Sequence, residues 1–293
     1  MQKIRQIIGQ YGEDNFCIAF SGGKDSTVLS KIVDMALPEN KIPRVFADTG
    51  IELNLIREFV NEMQKKDSRV VIIKPSTPIK LMLEEKGYPF KSKFHSKLVE
   101  RYQRLGRVQS IENYLGTEKA DKDWYEKCPK VLQYQFTEEC NLKISDKCCE
   151  ELKEKPMQKW QEEHSRPYLI TGVMKSEGGR RAMTQCLFIY KGKLKKFNPL
   201  SPMDEEWEKW FIEKYNVEIC AIYYPPYNFT RTGCKGCGFA LHLQDELDTL
   251  ERFFPKERVQ CEIIWKPLYE EYRRLGYRLT PSEMNGQMNL FGE

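Results

Sequence analysis

The chain has 293 residues, of which 40% are hydrophobic and 31% are charged, as is typical of a globular protein. This length can hold one large α/β domain, or one domain with a small appendage. Its 47 Lys and Arg nearly balance its 43 Asp and Glu, so the net charge of +4 points only weakly to an anionic partner such as a nucleotide or nucleic acid. No apolar run approaches the roughly 18 residues that span a bilayer, and residues 1–15 lack the apolar centre of a signal peptide. We therefore exclude a membrane protein and predict a cytoplasmic location.

The strongest motif lies near the N-terminus, where an apolar stretch, Phe16 to Phe20, precedes a polar turn and a helical pattern. Glycines between a strand and a helix let backbone N–H groups approach an anion, and the helix start adds a positive dipole end. The spacing of a Walker A loop is absent, and the alternative is an ordinary glycine turn with an exposed lysine. We predict that this segment binds nucleotide phosphates through Ser21, Gly22, Gly23, Lys24, Asp25, Ser26 and Thr27.

Further short apolar stretches alternate with helical patterns along the first 200 residues. Strands are predicted within residues 44–50, 70–75 and 168–173, and a helix over 53–65. This alternation favours an α/β fold with a parallel twisted sheet and helices on both faces, with the ligand site at the carboxyl ends of the strands. Asp48, Thr49 and Gly50 follow the second strand and are predicted to border the nucleotide.

The remaining segments are less specific. Residues 80–135 form a basic insertion, either a solvated helical face or a phosphate-contacting cover, and Lys191-Gly192-Lys193 marks a hairpin. Aromatic residues at helical spacing predict a packed face (Trp207, Trp210, Phe211 and Tyr215). Two helices, over 243–254 and 263–275, close the chain. We expect a domain over residues 1–240, a helical C-terminal extension over 241–280, and a flexible tail over 281–293.

Four of the ten cysteines form a metal-ligating pattern. Cys148 and Cys149 are adjacent, and Cys234 and Cys237 form a Cys-x-x-Cys turn 85 residues after Cys149. Four thiolates suit a [4Fe–4S] cluster or a zinc ion. Zinc ribbons normally pair two Cys-x-x-Cys turns, so the adjacent pair favours iron–sulfur. The alternative is a buried pair and a separate redox dithiol.

These motifs together resemble a known family. The Ser-Gly-Gly-x-Asp-Ser run at 21–26 is similar to the loop of the PP-loop ATP pyrophosphatases, which have the adenine nucleotide alpha hydrolase-like fold. The Asp-Thr-Gly turn at 48–50, the Cys-Cys segment at 148–157 and the Thr-Gly strand at 171–173 occur in the order found in the iron–sulfur branch of the sulfonucleotide (APS/PAPS) reductases. The resemblance implies that Gly172 borders the nucleotide and that Arg181 contacts the substrate anion, with ATP or an adenylyl sulfonucleotide as the ligand.

One departure from that family affects the expected activity. Its reductases use a nucleophilic cysteine in a C-terminal Glu-Cys-Gly-Leu-His segment, whereas here no cysteine follows Cys261. The C-terminal residues instead resemble the peptide by which bacterial DNA-processing proteins bind the sliding clamp, with Gln287, Leu290 and Phe291 as the predicted contacts. The alternative is a frayed terminus with two chance hydrophobic residues.

Three functions follow from these expectations. The first is ATP-dependent adenylation with pyrophosphate release, serving sulfur transfer to a nucleic acid or a small acceptor. Its catalytic residues would be Lys24, Asp25 and Arg181, with Mg²⁺ bound at Asp25 together with the nucleotide. The second is reduction of APS or PAPS with release of sulfite. The third is a non-catalytic, nucleotide-gated DNA-associated protein that binds the clamp.

Overall fold

The computed structural model describes residues 1–124 and 126–281, apart from the side chain of Arg180. The described residues form eleven α-helices, six strands and several short helical turns. The helices are α1 (Gln2–Tyr11), α2 (Lys24–Ala36), α3 (Asn54–Lys66), α4 (Ile79–Lys86), α5 (Lys93–Leu105), α6 (Gln109–Leu115), α7 (Lys155–Glu163), α8 (Glu205–Lys214), α9 (Leu243–Phe253), α10 (Pro255–Ile264) and α11 (Lys266–Leu275). The strands are β1 (Phe16–Ala19), β2 (Arg44–Ala47), β3 (Val70–Ile73), β4 (Tyr168–Ile170), β5 (Leu187–Tyr190) and β6 (Lys193–Phe197). None of the helices in this part of the chain has the length and apolar character that a membrane crossing requires.

The chain divides into two compact units, each built from two separate segments. Unit 1 comprises residues 1–76 and 152–233. Unit 2 comprises residues 77–151 and the described residues from 234 onward. The second unit thus contains the basic insertion, all four cysteines of the predicted metal site and helices α9 to α11, whereas the predicted boundary at residue 240 assigns the insertion and the cysteines to the first domain.

Unit 1 contains the sheet, whose strand order is β3-β2-β1-β4-β6-β5. All neighbouring strands are parallel except β5 and β6, which form the predicted hairpin. One face packs against α1, α2 and α8 through residues such as Ile4, Val28 and Phe211, and the other face packs against α7 through Met157 and Trp160. The predicted α/β class, with a parallel sheet and helices on both faces, is therefore confirmed.

The topology places the predicted phosphate loop where a ligand crevice is expected. The chain leaves β1 through residues 20–23 into α2, and the strand order reverses direction between β1 and β4. In open α/β sheets a crevice forms at the carboxyl ends of the strands at such a switch point. The loop after β1 and the turn after β2 both lie at that edge.

Unit 2 is mainly helical. Within the predicted insertion, His95 is fully buried and hydrogen-bonded to Tyr114 Oη at 2.9 Å and to Gln135 Oε1 at 2.6 Å. Burial lowers the pKa of His95 to about 4, so it is a neutral core residue. Lys91 forms an ion pair with Glu126, and Arg107 lies 3.7 Å from Glu112.

Two predicted details are wrong. The C-terminal region contains three helices rather than two, because Pro255 and Pro267 each start a new helix in its first turn. Trp210 does not pack inside, since half of its surface is exposed. The helix α8 turns Phe211 and the carboxylate of Glu208 inward instead.

Candidate functional site

The loop between β1 and α2 depends on a glycine at residue 22. Its φ of 70° lies in the left-handed region, and a Cβ there would lie 2.7 Å from Val60 Cγ2 and 3.0 Å from Ile56 Cγ2 on α3. Both the backbone conformation and the close approach of α3 therefore require glycine. The result is a tight turn that delivers the chain into the first turn of α2.

The loop hydroxyls mainly hold the turn together. Ser26 Oγ and Thr27 Oγ1 each donate to Gly23 O at 2.9 Å, and both side chains are buried. Ser21 is exposed; its N–H donates to Ser26 Oγ at 3.1 Å, and its hydroxyl lies 3.0 Å from the same oxygen. Of the predicted hydroxyl ligands, Ser21 is thus the one that faces solvent.

Lys24 begins α2 and is held by a residue that the sequence did not indicate. Lys24 Nζ lies 2.8 Å from Glu208 Oε2, and the Glu208 side chain is only 1% exposed. Neither carboxylate oxygen has a hydrogen bond of good geometry within the described residues. Burial and the nearby charge of Asp25 raise the pKa of Glu208 to about 7, although Lys24 opposes the shift. Burial alone would lower the pKa of Lys24, but Glu208 raises it above its ordinary value.

The backbone of Lys24 has a second distant partner. Its N–H donates to Tyr223 Oη at 3.3 Å, and that hydroxyl lies 2.6 Å from Thr232 Oγ1. Burial raises the pKa of Tyr223 to about 12, so the phenol stays protonated. Tyr223 and Thr232 therefore brace the start of the helix from a segment about 200 residues further along the chain.

The turn after β2 is closed by its own polar side chains. Gly50 N donates to Asp48 Oδ1 at 3.1 Å, and Arg57 Nη2 lies 3.1 Å from Asp48 Oδ2. Thr49 donates to Glu52 from its backbone at 3.0 Å and from its hydroxyl at 2.8 Å. Asp48 and Thr49 thus shape the predicted turn, and Glu52 anchors it.

Gly172 allows the backbone after β4 to lie close to the backbone of α2. A Cβ at this position would lie 2.9 Å from Asp25 O and 3.4 Å from Ser26 N. The end of β4 can therefore lie against the first turn of α2 only if residue 172 has no side chain. Its predicted place beside the phosphate loop is consistent with this contact.

Arg181 belongs to a pair of arginines around one buried carboxylate. Glu177 Oε2 accepts from Arg181 Nη1 and from Arg231 Nη2, the latter at 2.6 Å, while Glu177 Oε1 accepts from Met174 N at 3.0 Å. Burial and the neighbouring Arg231 lower the pKa of Arg181, and the charge of Asp25 acts in the opposite direction. Arg231 and Glu177 were missed because neither lies in a recognisable motif.

A cavity of about 230 Å³ lies beside the loop, within unit 1. Ala19 and Phe20 at the end of β1, and Phe46 and Ala47 at the end of β2, form a largely apolar lining. The polar side chains of Ser21, Glu52 and Lys153 also line it, and Lys153 Nζ lies 3.4 Å from Glu52 Oε1. An apolar cavity with a few polar groups beside a phosphate-type loop suits the base and ribose of a nucleotide.

The Cys-x-x-Cys turn in unit 2 is held by the C-terminal helices. Gly236 has a φ of 62°, and a Cβ there would lie 2.2 Å from Tyr269 Oη. Tyr269 Oη donates to Gly236 O at 2.6 Å, Trp265 Nε1 donates to Lys235 O at 3.0 Å, and Tyr272 Oη donates to Gly238 O at 2.7 Å. The backbone between and after the two cysteines is thus fixed by α11 and by Trp265, the residue that joins α10 to α11.

The two halves of the cysteine pattern meet in the structure. Hydrogen bonding to Cys149, burial, and the charges of Cys149, Cys237 and Cys234 raise the pKa of the Cys148 thiol. Within residues 1–124 and 126–281, however, no three His, Cys, Asp or Glu side chains are arranged to ligate a single metal ion. Cys148 thus lies within electrostatic range of Cys149, Cys234 and Cys237, but the described residues do not form a ligand set for one metal ion.

Two cysteines outside the predicted metal site lie in the core. Cys17 and Cys261 are fully buried, and burial raises the pKa of each to about 12, so neither is a thiolate at neutral pH. Gln287, Leu290 and Phe291, the predicted clamp contacts, lie outside the described residues.

Comparison with known proteins gives an extensive match to a family model. Residues 15–126 and 117–240 match the sequence model of the phosphoadenosine phosphosulfate reductase domain family. Among curated proteins, the glutamine-hydrolysing GMP synthases of Thermosipho africanus and Thermosipho melanesiensis are 34% and 32% identical over 73 residues, or 25% of this chain. The chain spans only 14% of the length of these relatives.

Two solved structures are similar at low sequence identity. The phosphate complex of phosphoadenylyl-sulfate (PAPS) reductase from Candida auris is 15% identical, with a TM-score of 0.43 over 75% of this chain and 81% of that chain. The U34-tRNA thiolase NcsA from Methanococcus maripaludis, solved with its [4Fe–4S] cluster, is 15% identical, with a TM-score of 0.37 over 92% of this chain and 77% of that chain.

Proposed function

Because the chain belongs to the phosphoadenosine phosphosulfate reductase domain family, we propose that it binds an adenine nucleotide in the cavity beside residues 21–27. The observation that carries this proposal is the construction of the loop: Gly22 in the left-handed region, and Lys24 at the start of α2 at the switch point of the sheet. Backbone N–H groups and a lysine at a helix start are the groups that bind phosphate. The apolar ends of β1 and β2 would receive the base.

The proposed activity is ATP-dependent adenylation for sulfur transfer to a nucleic acid or a small acceptor. An acceptor oxygen forms a bond to the α-phosphorus, and the bond from that phosphorus to the bridging oxygen breaks as pyrophosphate leaves. Lys24 would exchange Glu208 for the leaving phosphates and offset their growing charge. Asp25 would hold the Mg²⁺ that accompanies the nucleotide. Arg181, near Asp25, would contact the substrate anion.

A four-thiolate centre in unit 2 is the second part of the proposal. Cys148, Cys149, Cys234 and Cys237 would supply four thiolate ligands, and a bound metal would displace the proton that the raised pKa of the Cys148 thiol otherwise retains. Four thiolates would suit a [4Fe–4S] cluster or zinc, and the adjacent Cys148–Cys149 pair, unlike the two Cys-x-x-Cys turns of zinc ribbons, favours the cluster. Bound there, the cluster would supply redox or sulfur-carrying chemistry, or stabilise unit 2.

The nucleotide proposal is tested with Lys24→Ala and with Lys31→Ala, an exposed position further along the same helix. We expect Lys24→Ala to weaken ATP binding by about 10- to 100-fold, as for loss of a charged hydrogen bond, and to abolish pyrophosphate release. Lys31→Ala should behave like the wild type in calorimetry and in the pyrophosphate assay. Unchanged ATP affinity and turnover in Lys24→Ala would contradict the proposal.

Reduction of a sulfonucleotide is the second candidate, and family membership favours it. The two activities give different products. Incubation with APS or PAPS and thioredoxin should release no sulfite if adenylation is the activity. Sulfite release without pyrophosphate release from ATP would establish the reductase instead.

The metal centre has an independent test. Protein purified without oxygen should be brown and contain about four irons per chain, and Cys234→Ser should lose both properties. Cys186→Ser, in the half-buried cysteine of unit 1, should keep them. Stoichiometric zinc without iron would refute the cluster.

A further inference from the structure

The hairpin of β5 and β6 lies at the edge of the sheet in unit 1, and the proposed nucleotide site does not include it. Lys191 and Gly192 connect β5 and β6 with φ values of 49° and 72°, as in the tight turns that match the twist of a hairpin. Phe188 lies opposite Lys196, and Tyr190 lies opposite Lys193. Two aromatic residues are therefore each paired with a lysine across the ladder.

The register shifts between Phe188 and Ile189, as at a β-bulge, and this brings Lys193 and Lys196 to the same face of the hairpin as Phe188 and Tyr190. Leu194 and Phe197 point the other way, into the core against α1, α2 and α8. Phe188 and Tyr190 are about half exposed, and Lys193 and Lys196 are exposed. The face opposite the core thus presents rings and positive charge to solvent.

One residue of this face, Lys196, also lines an open groove of about 660 Å³. Lys195 and Lys196 line the groove from β6, and Gln158, Gln161 and Glu162 line it from α7. Two carboxylates, those of Glu154 and Glu162, lie among the residues on the helix side, so the positive charge is confined to the hairpin side. Helix α7 covers the sheet over β1 and β2, and the groove lies between it and β6.

The groove adjoins the proposed nucleotide cavity. Glu154, Met157 and Leu169 line both spaces. A chain molecule lying on the hairpin face could therefore extend along α7 to the site beside the phosphate loop.

Protection of a sheet edge does not explain this pattern. Natural edge strands often carry lysine to prevent pairing with other strands. Here the edge strand β5 exposes Phe188, Ile189 and Tyr190, while Lys193, Lys195 and Lys196 lie on the inner strand β6. Residues 187–197 contain four lysines and no acidic residue.

We propose that the face formed by Phe188, Tyr190, Lys193 and Lys196 binds single-stranded nucleic acid and leads it along the groove to the nucleotide site. Lysines attract the phosphates, and exposed rings stack on bases of any sequence. This inference rests on the proposed function, because it assigns the acceptor of the activated site to the class of single-stranded nucleic acids. An acidic polypeptide would satisfy the lysines but has no bases for the rings.

The test measures binding of the full chain to a fluorescent 20-nucleotide single strand over a range of salt concentrations, without ATP. Lys193→Gln/Lys196→Gln should weaken binding about tenfold and reduce the slope of log K against log salt by about 1.4, since each phosphate that is no longer neutralised lowers the slope by about 0.7. Phe188→Leu/Tyr190→Leu keeps the apolar character but removes the rings, and it should weaken binding about tenfold with an unchanged slope. Lys3→Gln/Lys31→Gln, which removes two exposed charges elsewhere, should bind like the wild type.

Several results would overturn the inference. Wild-type binding in both hairpin variants would show that the strand lies elsewhere or does not bind. Equal affinity for polyglutamate, with no effect of the leucine variant, would show general attraction of polyanions. Preference for a duplex of the same sequence would rule out recognition of single strands.

The inference and the proposed function fail in different ways. If the hairpin variants bind the oligonucleotide more weakly but the wild type releases no pyrophosphate from ATP, the binding surface is supported and the adenylation proposal fails. If oligonucleotides stimulate pyrophosphate release but the hairpin variants bind normally, the adenylation proposal stands and the surface assignment fails.

Discussion

Glu208 places a buried carboxylate beside the lysine that the phosphate loop offers to an anion. An ionised carboxylate at 1% exposure, with no good hydrogen bond among the described residues, is costly unless Lys24 compensates it. Without nucleotide the ion pair therefore keeps Lys24 ordered at the start of α2. When phosphates bind, Lys24 gains a second anionic partner, and Glu208 becomes easier to protonate.

This arrangement predicts a dependence of stability on pH. The pKa of Glu208 is raised from 4.5 to about 7 in the folded chain, so the folded state binds more protons than the unfolded state between these values. The free energy of unfolding should therefore fall as pH rises through this window, by up to about 3 kcal/mol at roughly 1.4 kcal/mol per unit of pKa. In Glu208→Gln this part of the fall should disappear. Urea unfolding at pH 5, 6 and 7 measures it.

The control for this experiment lies on the same helix. Glu206→Gln removes an exposed carboxylate and should keep the wild-type profile. Parallel profiles for wild type and Glu208→Gln would show that Glu208 does not titrate in this range.

A second prediction concerns the loop glycine. Gly22→Ala adds a Cβ 2.7 Å from Val60 Cγ2 at a φ of 70°, whereas Gly50→Ala meets nothing within 4 Å at a φ of 80°. Both substitutions carry the backbone cost of about 1 kcal/mol, but only Gly22→Ala adds overpacking of about 1–3 kcal/mol. Denaturant midpoints should therefore rank Gly22→Ala clearly below Gly50→Ala. Equal losses would mean that α3 moves aside at little cost.

Individual site residues could be predicted from the sequence where they belong to a local motif. Residues 21–27 and 48–50 were predicted as site residues because their spacing and flanking strands carry the signal. Glu208, Tyr223 and Arg231 were not found, since each reaches the site from a distant segment. Glu208 stands in an acidic run, Glu-Glu-Trp-Glu, which predicts a solvated helix face, and only packing shows that it points inward.

Helices α10 and α11 explain why a helical extension follows the Cys-x-x-Cys turn. Trp265, Tyr269 and Tyr272 are buried, and each donates a hydrogen bond to a backbone carbonyl of residues 235–238. Lys235 Nζ, also buried, lies 2.7 Å from Glu257 Oε2 on α10. These contacts give the turn a fixed shape through residues about 30 positions away. The extension is therefore a structural support for the cysteine site.

Tyr269→Phe tests this support, because it removes only the hydroxyl group that donates to Gly236 O. It leaves the buried carbonyl of Gly236 without its donor, so we expect a loss of about 1–3 kcal/mol in unfolding free energy. The turn should also hold the proposed cluster less firmly, giving faster iron release to a chelator. Tyr224→Phe, at a largely exposed tyrosine, should change neither quantity. Wild-type stability together with wild-type iron release in Tyr269→Phe would contradict the supporting role.

The elements themselves were largely predictable, and the exceptions have physical causes. The strands of the sheet and the hairpin follow from apolar runs bounded by turns, and their pairing follows from the alternation with helices. The number of C-terminal helices was wrong because Pro255 starts a helix there rather than merely ending the previous one. Trp210 was expected inside because aromatic spacing alone does not fix the rotation of a helix.

At the scale of the whole chain, the two units interrupt each other in sequence. Residues 77–151 leave unit 1 after β3, and the chain returns with residues 152–233 before entering unit 2 again. The basic insertion predicted from residue 80 begins close to the first crossing, but no motif marks the crossings at residues 152 and 234, and the boundaries were predicted at residues 240 and 280 instead. The division depends on contacts between distant segments, which a linear pattern does not record.

The two proposed ligands then act on different units, and this gives the last prediction. ATP is proposed to contact residues of unit 1, and the metal centre residues of unit 2. At a concentration 100 times its dissociation constant, a ligand stabilises the form that binds it by about 2.7 kcal/mol, or roughly 100-fold in hydrogen-exchange protection. We therefore expect Mg²⁺ and ATP to slow exchange in residues 16–76 and 152–233 far more than in 77–151 and 234–281. Iron removal should speed exchange chiefly in residues 77–151 and 234–281. Lys24→Ala should abolish the protection by ATP but leave the effect of iron removal unchanged. Equal protection of both units by ATP would show that they respond as one body, contrary to this assignment.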